Sequence, residues 1–172
     1  MTHLLCCCHH FQNVSPTFSL RRINNETNTP YHLSVVQENL DNTRLYFTGE
    51  QSGNYLATSK DLAFAAGIVL EEVEGGYHVY NCADGKYINA VTSGKYCNTK
   101  LEDTATTVWT WNEEYNTLQT FVEGEGFNDN YYMGTYGTYK TISMSKISYA
   151  ATSFTCFLAK RYEAPTYTPK PT

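Results

Sequence analysis

At 172 residues the chain suits a single domain with a short appendage, long enough to bury a core without disulfides or metals. A formal net charge of −5, with only twelve Lys plus Arg spread along the chain, excludes the dense basic footprint of a nucleic-acid binder, and no apolar run approaches the roughly 20 residues of a helical membrane span. Fifteen Tyr, 15% aromatic and 17% charged residues, with abundant Thr and Asn, read as all-β: Tyr and Thr favour strands, Asn and Gly tight turns.

Residues 1–30 read as an N-terminal arm and linker. The opening stretch MTHLLCCCHHF lacks the basic n-region and the small-residue cleavage site of a signal peptide. Its CCCHH run offers five adjacent metal-ligating side chains, which cannot all converge on one tetrahedral ion, so no metal and no cofactor is assigned. Asn13-Val14-Ser15 and Asn25-Glu26-Thr27 fit the glycosylation sequon, a weak signal in so Asn- and Thr-rich a chain.

From Tyr31 to Tyr162 the chain repeats itself, with copies over about 31–74, 75–114 and 115–162. Each copy opens on a predicted strand: residues 31–36 (YHLSVV), 77–80 (YHVY) and 117–122 (TLQTFV). On this alignment His32 and His78 match Leu118, which makes the histidines structural rather than catalytic. A hairpin follows each time, with a Gly-containing turn between Tyr46 and Tyr55, between Tyr87 and Tyr96, and between Tyr132 and Tyr139. Then comes an apolar strand, at Ile68-Val69-Leu70, at residues 108–111 (VWTW) and at residues 154–158 (FTCFL). Trp109 and Trp111 are aligned with Val69 and Leu70 and assigned to core packing. The expectation is three units, each with two longer strands flanking a short hairpin, twelve strands in all. Residues 163–172 (EAPTYTPKPT) read as an extended Thr/Pro tail.

This pattern resembles a β-trefoil, of ricin-type or fascin-like architecture, in which six strands form a barrel and three hairpins cap it. The stretches GNYLATS (53–59), ATTVWTWN (105–112) and YYMGTYGTYKTIS (131–143) also resemble an uncharacterised module of large surface proteins of gut Firmicutes. That second resemblance implies an extracellular or surface-exposed location and no particular chemistry.

One polar feature recurs ahead of each hairpin: Asp41 before Tyr46, Asp84 before Tyr87 and Asp129 before Tyr132. A carboxylate that accepts hydroxyl hydrogen bonds beside an aromatic face is what a sugar site requires, and ricin-type trefoils are similar, with up to one site per copy. Asp-Asn and Asp-Gly are equally what tight turns use, and the ricin-type Gln-x-Trp motif is absent. Exposed tyrosines at hairpin tips, such as Tyr136, suit an adaptable binding surface.

The carboxylate pairs Glu71-Glu72 and Glu113-Glu114 are adjacent, so their side chains diverge on a strand, and Glu123/Glu125 read as a solvated loop. Cys82 and Cys97 fall in neighbouring strand regions within reach of a disulfide, or are, with Cys156, small apolar residues of the core. No nucleophile or phosphate-loop motif is present. The expected function is a non-catalytic binding module for carbohydrate at a cell or particle surface. The alternative is a structural or protein-interaction module, an adhesin unit or a viral or phage surface component, with a surface protein in place of glycan as partner.

Overall fold

The computed structural model describes residues 30–37, 41–114, 117–135 and 138–146, together with the backbone of 155–161. The CCCHH run, both sequons, Tyr136 and the Thr/Pro tail lie outside these residues. The described chain is all-β, with strands β1 (Tyr31–Gln37), β2 (Thr43–Ser52), β3 (Tyr55–Ser59), β4 (Gly67–Val73), β5 (Gly76–Asn81), β6 (Tyr87–Ser93), β7 (Tyr96–Glu102), β8 (Thr110–Asn112), β9 (Thr117–Gly124), β10 (Phe127–Gly134), β11 (Thr141–Lys146) and β12 (Thr155–Arg161). A 3-10 turn over Leu62–Phe64 links β3 to β4, and the Asp61 carboxylate caps it by accepting from the Ala63 amide.

The hairpins form where the turn residues put them. Gly53 and Gly94 take φ of +59° and +57°, a left-handed conformation that glycine adopts without steric cost. β2 therefore turns into β3 at Ser52↔Tyr55, and β6 into β7 at Ser93↔Tyr96. The first hairpin is tied to the second through Gln51. Its Nε2 donates to the carbonyls of Tyr55 (2.7 Å) and Thr99 (2.9 Å), and its Oε1 accepts from the Leu101 amide at 2.8 Å.

All pairings are antiparallel, in the order β7-β6-β5-β4-β1-β2-β3-β11-β10-β9-β8, with β12 on β1. β1 also meets β4 at Tyr31↔Ile68, and β5 meets β8 through the isolated bridge Tyr77↔Trp109. The sheet therefore curls on itself. It encloses a core in which Leu33, Ile68, Val79, Trp109, Leu118 and Ile142 have no accessible surface. Burial alternates along β5, with Tyr77, Val79 and Asn81 turned inward, as a strand with one buried face requires.

The ladders fix how the copies correspond, and two sequence alignments need correction. Trp109 faces Tyr77 as Ile68 faces Tyr31, so Trp109 and Trp111 stand at the places of Ile68 and Leu70, not of Val69 and Leu70. Leu70 pairs with Val79 and Trp111 with Leu118. Leu118 is thus the counterpart of Val79 and Leu33, and Thr117, not Leu118, stands with His32 and His78. Core packing holds for Trp109, which is fully buried with its indole Nε1 donating to the Ile88 carbonyl at 2.9 Å; Trp111 packs half-buried against the same core.

The expected contrast between long flanking strands and short hairpin strands does not hold. β2, in a hairpin, is the longest strand at 10 residues, and β8, a flanking strand, spans 3. Glu123, expected in a loop, is the penultimate residue of β9. Cys82 and Cys97 are free thiols, each pushed up to about 11 by burial, with the Glu71 charge adding to the effect at Cys82. They act as small apolar residues, not as a disulfide.

His32 is buried with its ring edge against Tyr46, centroids 6.1 Å apart, and desolvation holds its pKa below the ordinary histidine value of 6.5. The folded state therefore binds this proton less readily than the unfolded chain does. The resulting stability is complete above about pH 6.5 and is lost as pH falls through that value and then through the lowered folded pKa. We expect the melting temperature to fall between about pH 7.5 and 5.5, above the carboxylate range, and the fall to shrink in His32→Gln. Equal falls in both proteins would place the titration elsewhere.

Candidate functional site

The six residues singled out by sequence fall into different environments. Asp41 is exposed in the turn before β2, where it and Asn42 adopt φ of 54° and 56°. The Asp84 carboxylate accepts from Asn81 Nδ2 at 2.7 Å and from the Lys86 amide at 3.0 Å, which pins the β5–β6 turn. Asp129 lies not in a turn but within β10, opposite Val122, and its Oδ1 accepts from the Asn130 amide at 2.8 Å.

The three tyrosines are true counterparts: Tyr46 pairs with Ser34, Tyr87 with Tyr80 and Tyr132 with Gln119. Two of the three rings, however, are covered, and Tyr46 is half-buried. Tyr132 is fully buried and Tyr87 nearly so, edge-on to His78 and Tyr80. A ring with no open face has nothing to offer a sugar, so Tyr87 and Tyr132 serve the core. Burial pushes the Tyr87 phenol up to about 12, helped by the charge of Glu71 and by a hydrogen bond to that carboxylate. The exposed tyrosines are instead the second of each hairpin, Tyr55, Tyr96 and Tyr139.

A concave feature of the surface lies elsewhere. A cleft of about 630 Å³ opens where β6, the β7–β8 connection, β8 and the β9–β10 hairpin meet. Its walls carry the hydroxyls of Thr92, Thr106, Thr107, Thr110 and Thr120, with Phe121, Glu123 and Asn130 on the hairpin side. Phe121 and Glu123 are two apart on β9, and Asn130 lies directly opposite Phe121, so all three share one face of the ladder. Phe121 is 55% exposed, an unusual position for so large an apolar ring.

Local hydrogen bonds make the cleft rigid. Thr107 Oγ1 accepts from the Ala90 amide at 2.9 Å, and Thr120 Oγ1 donates to the Val108 carbonyl at 2.9 Å. The Thr92 and Thr106 hydroxyls, the Glu123 carboxylate and the Asn130 side-chain amide make no hydrogen bond among the described residues. Among the described residues the site thus presents hydroxyl, carboxylate and amide groups around one aromatic ring, with a single ionisable side chain.

The corresponding place between the first two copies is closed. Counting along the ladders, Gly49, Ala66 and Ala83 stand where Ala90, Thr107 and Val122 line the cleft. A Cβ added at Gly49 would lie 2.5 Å from that of Ala83 and 3.0 Å from that of Ala66, so the walls touch. Asn81, the counterpart of Thr120, seals the contact by donating to the Gly49 carbonyl at 2.9 Å. By the same count, Asp84 at the sealed junction corresponds to Glu123 at the open one.

Two features open the second junction. Tyr80 and Tyr87 pair across a short turn, whereas Gln119 and Tyr132 are joined by a hairpin that continues as a ladder to Phe127↔Gly124. That extension supplies Phe121, Glu123 and Asn130. Ala90, Thr107 and Val122, in place of Gly49, Ala66 and Ala83, then hold the walls apart. Among the described residues no group of three or more His, Cys, Asp or Glu could hold a metal ion. Comparison with protein-family models, with curated proteins and with solved structures yields no match.

Proposed function

We propose that the chain is a β-trefoil that binds carbohydrate without catalysis, through the cleft between its second and third copies. The trefoil reading is supported by pairing. β12–β1, β1–β4, β4–β5, β5–β8 and β8–β9 link six strands in succession, while β2–β3, β6–β7 and β10–β11 pair as hairpins.

The observation that carries the binding reading is the shared face of Phe121, Glu123 and Asn130. The ring offers a flat apolar surface to the C–H face of a pyranose, and carboxylate and amide take up hydroxyls at its rim. Rigid walls spare the ligand the cost of ordering the site. A lone carboxylate favours binding over turnover, because glycoside hydrolysis uses a pair flanking the scissile bond.

Labelled protein on a glycan array is expected to bind, and Phe121→Ala or Asn130→Ala to weaken binding about tenfold or more with an unchanged melting temperature. Asp84→Ala, at the sealed junction, should leave binding intact. An array without signal at high glycan density would remove the carbohydrate reading. A protein-interaction module is then favoured by Tyr55, Tyr96 and Tyr139, exposed by 45, 61 and 67% on three different hairpins.

A further inference from the structure

We infer that the cleft is selective for neutral saccharides, and that Glu123 is the specificity-determining residue that turns anionic ones away. This rests on the carbohydrate reading of the same site. Among the described residues of the lining Glu123 is the one charged side chain, and no described Lys, Arg or His joins it. The adjoining turn adds a second exposed carboxylate, Glu125. Two described cations are held by partners outside the cleft: Arg44 donates to the Ser34 hydroxyl at 2.9 Å, and Lys100 to the Gly53 carbonyl and Asn54 Oδ1 at 3.0 and 2.9 Å. The remaining polar groups of the lining are neutral threonine hydroxyls and the Asn130 amide, which bond sugar hydroxyls equally well as donors or acceptors.

A uronate, sialate or sulfate seated on Phe121 would bring its charge beside the Glu123 carboxylate inside a concave wall. Glu123 is exposed, so the repulsion acts at short range and is screened further by added salt. Like charges so placed discriminate between ligands without weakening the favoured one. The sealed junction shows the alternative fate of this position, since Asp84 there has its carboxylate consumed by Asn81 and Lys86.

The test is titration calorimetry of the full chain against neutral hexose and N-acetylhexosamine oligosaccharides and against length-matched uronic, sialylated and sulfated ones. Neutral ligands are expected to bind at least about tenfold more tightly, with a gap that narrows as salt is raised. In Glu123→Lys the gap should close or invert, and in Glu123→Gln it should narrow. Wild-type protein that prefers anionic ligands, or a preference unchanged in Glu123→Lys, overturns the selectivity while leaving carbohydrate binding standing. Failure of every saccharide to bind removes the carbohydrate reading, and this inference with it.

Discussion

Trp109→Ala is expected to destabilise the fold by about 3–5 kcal/mol, the largest loss available from one side chain in this chain. The indole has no accessible surface and packs among residues from all three copies. Its removal leaves a cavity that strands cannot collapse to fill, because the neighbouring ladders fix their spacing. It also strands the Ile88 carbonyl, which now accepts from Nε1 at 2.9 Å. Trp109→Phe keeps most of the volume and should lose about 1–3 kcal/mol, including the hydrogen bond. Urea denaturation followed by far-UV circular dichroism reads both. A loss below about 1 kcal/mol in Trp109→Ala would mean that the enclosed core is not where the stability resides.

Gly76→Ala should come close to that effect from the backbone side. A Cβ at this position would lie 2.1 Å from the Trp109 carbonyl oxygen and 3.1 Å from Val108 Cγ1. The obstacle is main chain, so it cannot rotate aside. The bridge must open, at the expense of the hydrogen bonds from the Tyr77 amide to the Trp109 carbonyl and from the Trp109 amide to the Tyr77 carbonyl, both 2.8 Å. Two such bonds and the overpacking together amount to about 3 kcal/mol. Amide exchange at Tyr77 and Trp109 should accelerate more than exchange in the β6–β7 ladder. Exchange unchanged at those two amides would contradict the steric account. Because the two substitutions break the same junction, their combined effect should fall short of the sum.

What the sequence revealed follows from which forces act locally. Gly53 and Gly94 set their turns through backbone conformation alone, so both hairpins could be placed from composition. The opening of the third copy could not. Thr117-Leu118 lacks the Tyr-His pair that marks its counterparts, and without that marker an alignment slips by one residue, which on a strand exchanges inside for outside. The ladder Trp111↔Leu118 resolves it.

The site was illegible for a different reason. Tyrosine carries a large apolar ring and a hydroxyl, so its sequence signal is the same for a core residue such as Tyr132 and an exposed one such as Tyr139. The cleft is assembled from threonines, a phenylalanine and an asparagine that are each ordinary in strands, and only their packing makes them a cavity. One usable signal is the greater length, relative to the second copy, between the opening strand of the third copy and Tyr132, where the hairpin carrying Phe121 and Asn130 is extended.

The pairing of the first strand with the last has a consequence for biosynthesis. β1 takes β12 along most of its length, from Tyr31↔Arg161 to Val36↔Thr155. A nascent chain leaving the ribosome therefore holds β1 without that partner until the residues of β12, through Arg161, have emerged. Hairpins such as β6–β7 can form early, but the β1–β12 pairing closes the widest sequence separation among the described ladders. During that interval the apolar face of β1, with Leu33 and Val35, is open to wrong partners. Slowed translation would prolong this exposure, whereas a chaperone holding β1 would shorten the path to the native sheet.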